Sequence, residues 1–341
     1  MTLMITALVL DISDYTPTPN PDYPDCEYLC EEKHCMWIRR RHEHHRHHNY
    51  KRICEPVPRN NITGSDRRPE CGQPVVEPDI TIADGKITNI VNGNAANPHS
   101  FPWLVSIQVL RSNGEFSHSC GGTLVDNRNV ITAAHCLQCK YRGQLRVVAG
   151  EHDHNVEQDN AQYSCVSQVF VHQSYDKRRD VAFDSAVLVL SEPFVYNDYV
   201  RPICMPSKDT NWQRPDDPTE KFVIAGWGVT NQFWGGATDE LHESVLQVVP
   251  VKKCREQYSK TDIGPTMMCA AWPGTDTCQG DSGGPMMAYS DGHYYLAGIV
   301  SWGRGCAQKG YSGVYAHVPS LIHWFRKKIS CNECFRNPKS M

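Results

Sequence analysis

No run in the 341-residue chain is long and apolar enough to cross a bilayer as a helix, since such a span needs about 20 consecutive apolar residues. Residues 2–10 are apolar but short, with no basic region before them and no clear cleavage site after them. We read residues 1–20 as a truncated or atypical signal region. The chain also lacks a strong charge of either sign: 34 Lys and Arg stand against 38 Asp and Glu, a net charge of −4. Without a general basic excess, no nucleic-acid partner is expected. The balance conceals a local asymmetry. Residues 11–32 are acidic, whereas the run Arg39-Arg40-Arg41-His42-Glu43-His44-His45-Arg46-His47-His48 and the following Lys51-Arg52 are basic, more so below about pH 6.5. Three readings of this block stay open: a solvated linker, a surface for sulfated polysaccharide at residues 39–52, and Zn or Cu ligation through its histidines.

Cysteine, by contrast, is plentiful. Sixteen residues, an even number, point to an oxidising compartment and a secreted, extracellular protein. Asn61-Ile62-Thr63 is the single glycosylation sequon. It lies in a polar stretch and is expected to be exposed.

The most informative segment is Gly280-Asp281-Ser282-Gly283-Gly284-Pro285. A serine between glycine-rich turns has an exposed hydroxyl and backbone N–H groups free to face a substrate oxygen, as acyl transfer requires. Alone, such a run is usually only a turn. Its value rises because a base and an orienting acid stand elsewhere in the chain. His135, in Thr132-Ala133-Ala134-His135-Cys136, is an imidazole able to take and return a proton near neutral pH. Asp184 lies at the mouth of the apolar, strand-like run Ser185-Ala186-Val187-Leu188-Val189-Leu190.

The order His135, Asp184, Ser282 resembles that of the trypsin/chymotrypsin family of serine endopeptidases, and differs from the order in subtilisin and the α/β-hydrolases. The resemblance runs from Ile90-Val91-Asn92-Gly93 to an amphipathic segment ending near Ile329. Its landmarks include Cys120-Gly121-Gly122-Thr123-Leu124, Gly226-Trp227-Gly228 and Ser301-Trp302-Gly303. It implies an all-β fold of two six-stranded antiparallel β-barrels with a C-terminal helix, for which Leu321, Ile322, Phe325 and Ile329 share one helical face. Many short apolar runs between Gly, Asn and Asp turns agree with it.

The resemblance also implies roles. His135, Asp184 and Ser282 would be catalytic, with the oxyanion held by the amides of Gly280 and Ser282. Asp276 would floor a pocket for Arg or Lys side chains, aided by Thr277 and opened by Gly303 and Gly313; a buried carboxylate there needs a cationic partner. Ser301 would bond Asp184, Trp302 and Gly303 would pair with the substrate backbone, and Arg304 could favour acidic residues before the cleaved bond. Activation would free Ile90 to pair with Asp281. Asn89 departs from the Arg or Lys usual before that bond, which puts self-activation in doubt. Expected disulfides are Cys71–Cys204, Cys120–Cys136, Cys254–Cys269 and Cys278–Cys306, with the extra pair Cys139–Cys165. The pairing of Cys26, Cys30, Cys35, Cys54, Cys331 and Cys334 stays open.

The resulting division is a prosegment at 21–89, partly disordered, a peptidase domain at 90–330 and a Cys-containing tail at 331–341. No cofactor is required, although the loop from Glu151 to Asp159 offers oxygen ligands for calcium. Partners would be protein or peptide substrates with Arg or Lys, and proteinaceous inhibitors. The competing reading is a weak or inactive protein of the same fold that binds through its basic N-terminal segment.

Overall fold

The computed structural model describes residues 26–31, 34–39, 64–83, 86–89, 94–111, 113–138, 144–156, 158, 160–175, 181–207, 216–228, 238–258, 263–271, 281–304 and 310–329. The chain separates into two units. The first holds residues 1–49 and 138–141. Its described strands, β1 (Cys26–Glu31) and β2 (His34–Arg39), form an antiparallel ribbon in which Cys30 lies opposite Cys35.

The second unit opens with residues tied down at several points. Ser65 exchanges backbone hydrogen bonds with Tyr196, and Cys71 is bonded to Cys204. The amide of Gly72 donates to Pro202, and its carbonyl accepts from Tyr294. Two short strands follow, β3 (Thr81–Ala83) and β4 (Lys86–Asn89), which pair with each other. Then comes β5 (Asn94–Ala95).

Six antiparallel strands close the first barrel: β6 (Leu104–Leu110), β7 (Phe116–Leu124), β8 (Asn129–Thr132), β9 (Leu145–Ala149), β10 (Gln162–Val171) and β11 (Ala186–Leu190). Their spatial order is β10-β11-β8-β7-β6-β9. The turn between β7 and β8 is built by Asp126, whose carboxylate accepts the amides of Arg128 at 2.8 Å and Asn129 at 2.7 Å. Side-chain acceptance of this kind favours turn over strand. Ile107, Leu124, Val130, Ile131 and Leu145 are fully buried, each stabilising the fold by roughly 1.5–3 kcal/mol.

The second barrel uses β12 (Lys221–Gly226), β13 (His242–Val249), β14 (Met267–Ala271), β15 (Pro285–Ser290), β16 (His293–Trp302) and β17 (Gly313–His317). The order β12-β15-β16-β17-β14-β13 is closed by pairing of β12 with β13, and β5 adds to the outer edge of β13. This is the expected pair of six-stranded barrels. Register shifts at Ile107/Gln108, Val166/Gln168, Met286/Met287 and Val300/Trp302 interrupt the ladders; such bulges supply the local bend and twist that closure needs.

Helix α1 (Val251–Gln257) is fixed to β14 by the Cys254–Cys269 disulfide. Helix α2 (Val318–Lys328) is the expected C-terminal helix, starting with a proline in its first turn and ending in Arg326, Lys327 and Lys328. Both features suit a helix: proline needs no donor there, and cations face the negative end of the dipole. Leu321, Phe325 and Ile329 are buried, Ile322 is partly buried against the core, and Trp324 joins them.

Candidate active site

His135 sits in a 3-10 turn, Ala134–Leu137, directly after β8. Buried Ala133 and Ala134 let the turn approach the barrel end, and Cys136 is bonded back to Cys120 on β7. The ring is thereby aimed at Asp184. Its Nδ1 lies 2.7 Å from Asp184 Oδ2, while the His135 amide donates to Oδ1 at 2.9 Å. Ser301 Oγ donates to Oδ2 at 2.5 Å.

Ser301 reaches the carboxylate because of where the ladder slips. The β16–β17 register jumps from Val300 to Trp302, leaving Ser301 at a bulge, where side chains are re-aimed. Asp184 itself is 1% exposed. Burial alone would push its carboxyl up. The His135 ring, together with the hydrogen bonds from that ring, from Ser301 and from the His135 amide, outweighs burial and holds it below the ordinary carboxylate range.

The segment that carries Asp184 is strained. Val181 and Phe183 both have positive φ, 55° and 59°, a region that costs a non-glycine residue about 1–3 kcal/mol. Neighbours hold it in place. The Phe183 amide donates to Thr266 Oγ1, its carbonyl accepts from the Ser185 amide, and its ring stacks on His172 at 4.7 Å.

Ser282 lies in the turn before β15. Its carbonyl accepts the Gly121 amide at 2.8 Å and lies 3.5 Å from Cys136 Sγ, next to the turn that holds His135. Gly283 follows with φ +80°, its amide donating to the Val300 carbonyl. A side chain at Gly283 would overlap Thr132 Oγ1 and lie against the Gly121 carbonyl. The Gly-Ser-Gly pattern therefore reflects close backbone approach as well as a left-handed turn. Asp281 is directed at the segment Gly226-Trp227-Gly228. Its Oδ1 accepts the Gly228 amide at 2.8 Å, and side chains at Gly226 or Gly228 would collide with its carboxylate.

Trp302 packs edge-on against Tyr258 at 4.9 Å, and Tyr258 OH donates to the Ser312 carbonyl. Gly303 follows β16 directly, and Gly313 opens β17 opposite Ala270. Arg304 stacks over Tyr311 and donates to its hydroxyl at 2.7 Å. Of the expected pocket and oxyanion residues, Asp276, Thr277 and Gly280 lie outside the described residues, as do Ile90, Asn61, the Cys278–Cys306 pair and residues 40–52 of the basic block. Cys165 is disulfide-bonded, while its expected partner Cys139 also lies outside them.

Among the described residues, one His/Cys/Asp/Glu group has ligand atoms close enough to share an ion: Cys120, His135 and Cys136. Both sulfurs are in a disulfide and cannot act as thiolate ligands. In the loop considered for calcium, Glu151 is turned inward to His154, 3.2 Å from its Nδ1. The Asn155 amide donates to Asp153 Oδ1 at 2.8 Å, and Glu157 and Asp159 lie outside the described residues. Of the four carboxylates only Glu151 and Asp153 are described, and each is directed to a protein partner. Sequence reasoning missed Thr266 and His172, which hold the Asp184 segment from 82 and 12 residues away (266 − 184 and 184 − 172); no local pattern marks either.

A family model described as Trypsin matches residues 90–325. The chain belongs to the trypsin family. It is 36% identical over 259 residues to the clotting factor G beta subunit of Tachypleus tridentatus, covering 71% of this chain and 80% of that protein. It is also 36% identical over 242 residues to trypsin-1 of Astacus astacus, covering 70% of this chain and 98% of that protein. This trypsin-family chain is a serine endopeptidase, a class that needs no cofactor, and no described helix is long and apolar enough to cross a membrane.

Proposed function

We propose that the protein is a secreted endopeptidase precursor that hydrolyses peptide bonds after Arg or Lys, using Ser282, His135 and Asp184. The observation that carries this reading is the double grip of Asp184 on His135, through Nδ1 at 2.7 Å and the amide at 2.9 Å. Bonding at Nδ1 leaves Nε2 as the basic nitrogen. Ser282 Oγ attacks the substrate carbonyl and its proton passes to Nε2. The amides of Gly280 and Ser282 receive the oxyanion, and in this chemistry one such donor stabilises the transition state by about 2.7–4 kcal/mol. The imidazolium, held by Asp184, then protonates the leaving amine. Water repeats the sequence on the acyl-enzyme.

Asp276 supplies the pocket charge for the Arg or Lys head. Cutting before Ile90 divides a prosegment at 21–89 from a peptidase domain at 90–330, leaving the tail at 331–341. The Cys71–Cys204 disulfide keeps the upstream piece attached. The freed Ile90 ammonium draws Asp281 away from Gly228 and orders the pocket. Substrates with Arg or Lys and proteinaceous inhibitors are the partners this reading requires.

The test uses protein with a defined N-terminus at Ile90. An organophosphonate should label Ser282 in a 1:1 ratio, and an arginyl amide should be hydrolysed, with both lost in Ser282→Ala. Labelling at another residue, or preference for an apolar residue in place of arginine, overturns the assignment.

A further inference from the structure

Glu243, on β13, is 4% exposed, yet the chemistry at Ser282 makes no use of it. One of its carboxylate oxygens accepts the Asp79 amide at 2.9 Å. The other is buried with no hydrogen-bond partner among the described residues, and so is the hydroxyl of Tyr294 on β16. The charged and titratable groups that act on these two side chains are acids and phenols. Asp79 acts on Glu243; Glu77, Tyr289 and Glu243 act on Tyr294. From the other side, β5 places Asn94 opposite Glu243 in the ladder. On β13 itself the neighbours are His242, whose Nδ1 meets the Glu240 carbonyl, and Ser244. Burial pushes the Glu243 carboxyl up to about 7, the Asp79 N–H opposing this and the Asp79 charge adding to it.

The roof of the pocket is the segment just upstream of the activation bond. The Glu77 carbonyl accepts Asn97 Nδ2 at 3.0 Å, and Ile80 and Ile82 pack against the core. Past Asp79 the chain becomes β3, and β3 pairs with β4: Thr81 lies opposite Asn89, and Ile82 opposite Ile87. Ile87 is buried. The bond after Asn89 thus ends a strand whose edge is already occupied. A peptidase takes its substrate as an extended strand with a free edge, so β4 must unzip from β3 before it can be cut.

We propose that Glu243 is a proton-held latch: protonated, it keeps residues 77–83 docked and shields the Asn89–Ile90 bond, and ionised, it lets them go. The precursor then becomes easier to cut as pH rises towards neutrality. This rests on the activation reading given above. The docked state holds the proton more tightly than the released segment does. Docking is therefore strongest below the ordinary carboxyl range, weakens between about pH 4.5 and 7, and is constant above that.

Hydrogen exchange on the full chain carrying Ser282→Ala, which blocks self-cleavage, reads the latch directly. Corrected for intrinsic rates, opening of residues 77–83 and 86–89 should rise at least about tenfold from pH 5 to pH 8, with a ceiling of about 70-fold over that window set by the displacement of the carboxyl. Glu243→Gln should abolish the pH dependence. Asp79→Asn, a nearly isosteric change at an exposed position, should move the midpoint to lower pH by removing the neighbouring charge. Opening that is independent of pH, or an equal rise in Glu243→Gln, overturns the latch. Terminal sequencing and activity after cutting are read separately. If opening follows pH but protein starting at Ile90 is no more active than the uncut chain, the activation reading fails and the latch stands.

Discussion

Ser301→Ala removes one donor from a carboxylate whose other described donors both come from His135. Ser301 is 7% exposed, so water is poorly placed to replace it. A hydrogen bond to a charged group contributes about 1.5–3 kcal/mol. On the proposed mechanism Asp184 is most needed when the imidazolium forms, so most of that loss should fall on the transition state. With about 1.4 kcal/mol per factor of ten, kcat should drop roughly 5–50-fold while KM stays near its starting value.

The same change has an independent signature in stability. A carboxyl held below its ordinary range stabilises the fold above that range, and the contribution is lost as pH falls through the folded value. Without Ser301, Asp184 moves back toward the ordinary value, and acid unfolding should begin at a higher pH. The assay is arginyl-amide hydrolysis normalised to organophosphonate-titrated sites, with thermal unfolding followed from pH 3 to 7. A kcat within about twofold of the parent, or a loss confined to KM, refutes the reasoning.

Gly283→Ala should lose the nucleophile turn, because φ is +80° and the methyl would overlap Thr132 Oγ1. The expected cost is about 1–3 kcal/mol or more, seen as a lower unfolding midpoint and loss of Ser282 labelling. Replacing Cys120 and Cys136 together by serine removes a link of sequence separation 16, expected to cost about 3 kcal/mol. Calorimetry measures the cost, and titrated activity shows whether the His135 turn stays aimed. Asp276→Ser should exchange arginine preference for apolar residues, read from cleavage of a peptide library; retained arginine preference removes Asp276 from the pocket.

The barrels were legible because short apolar runs and Gly, Asn or Asp turns mark strands, and ordered motifs fix which strands they are. Other features were legible only in part. Leu104–Leu110 is buried along almost its whole length, with Ser106 and Gln108 inside because His118 Nδ1 and Arg146 bond them. Alternation cannot reveal a strand covered on both faces. The helical face at 321–329 was readable by its spacing, but the hydrogen bond of the Trp324 indole to Gln173, 151 residues away, was not.

Residues 64–83 fall within the prosegment expected to be partly disordered. Their order comes instead from distant partners: Tyr196, Cys204, Pro202 and Tyr294. Nothing in His242-Glu243-Ser244 marks Glu243 as buried. Its burial is decided by a segment 164 residues earlier in the chain, which no local pattern encodes.

On the proposed activation, these contacts divide the site into a half already in place and a half that changes. The acid–base half is over-determined: Asp184 is gripped by His135 and Ser301, and the strain at Val181 and Phe183 is held by Thr266 and His172. Strain persists only where the surroundings impose it, so cutting the chain at Ile90 has little to improve there. The nucleophile half is held differently. Asp281 accepts the Gly228 amide, and on the proposed activation the Ile90 ammonium adds a charged partner for the same carboxylate. In that reading the change moves the residue next to Ser282 while His135 and Asp184 stay in place. Control of the enzyme then falls to whatever governs access to the Asn89–Ile90 bond. The contacts that guard it are the pairing of β3 with β4 and the docking of Asp79 over buried Glu243, and the second of these is the one that a proton on Glu243 favours, by removing a buried charge.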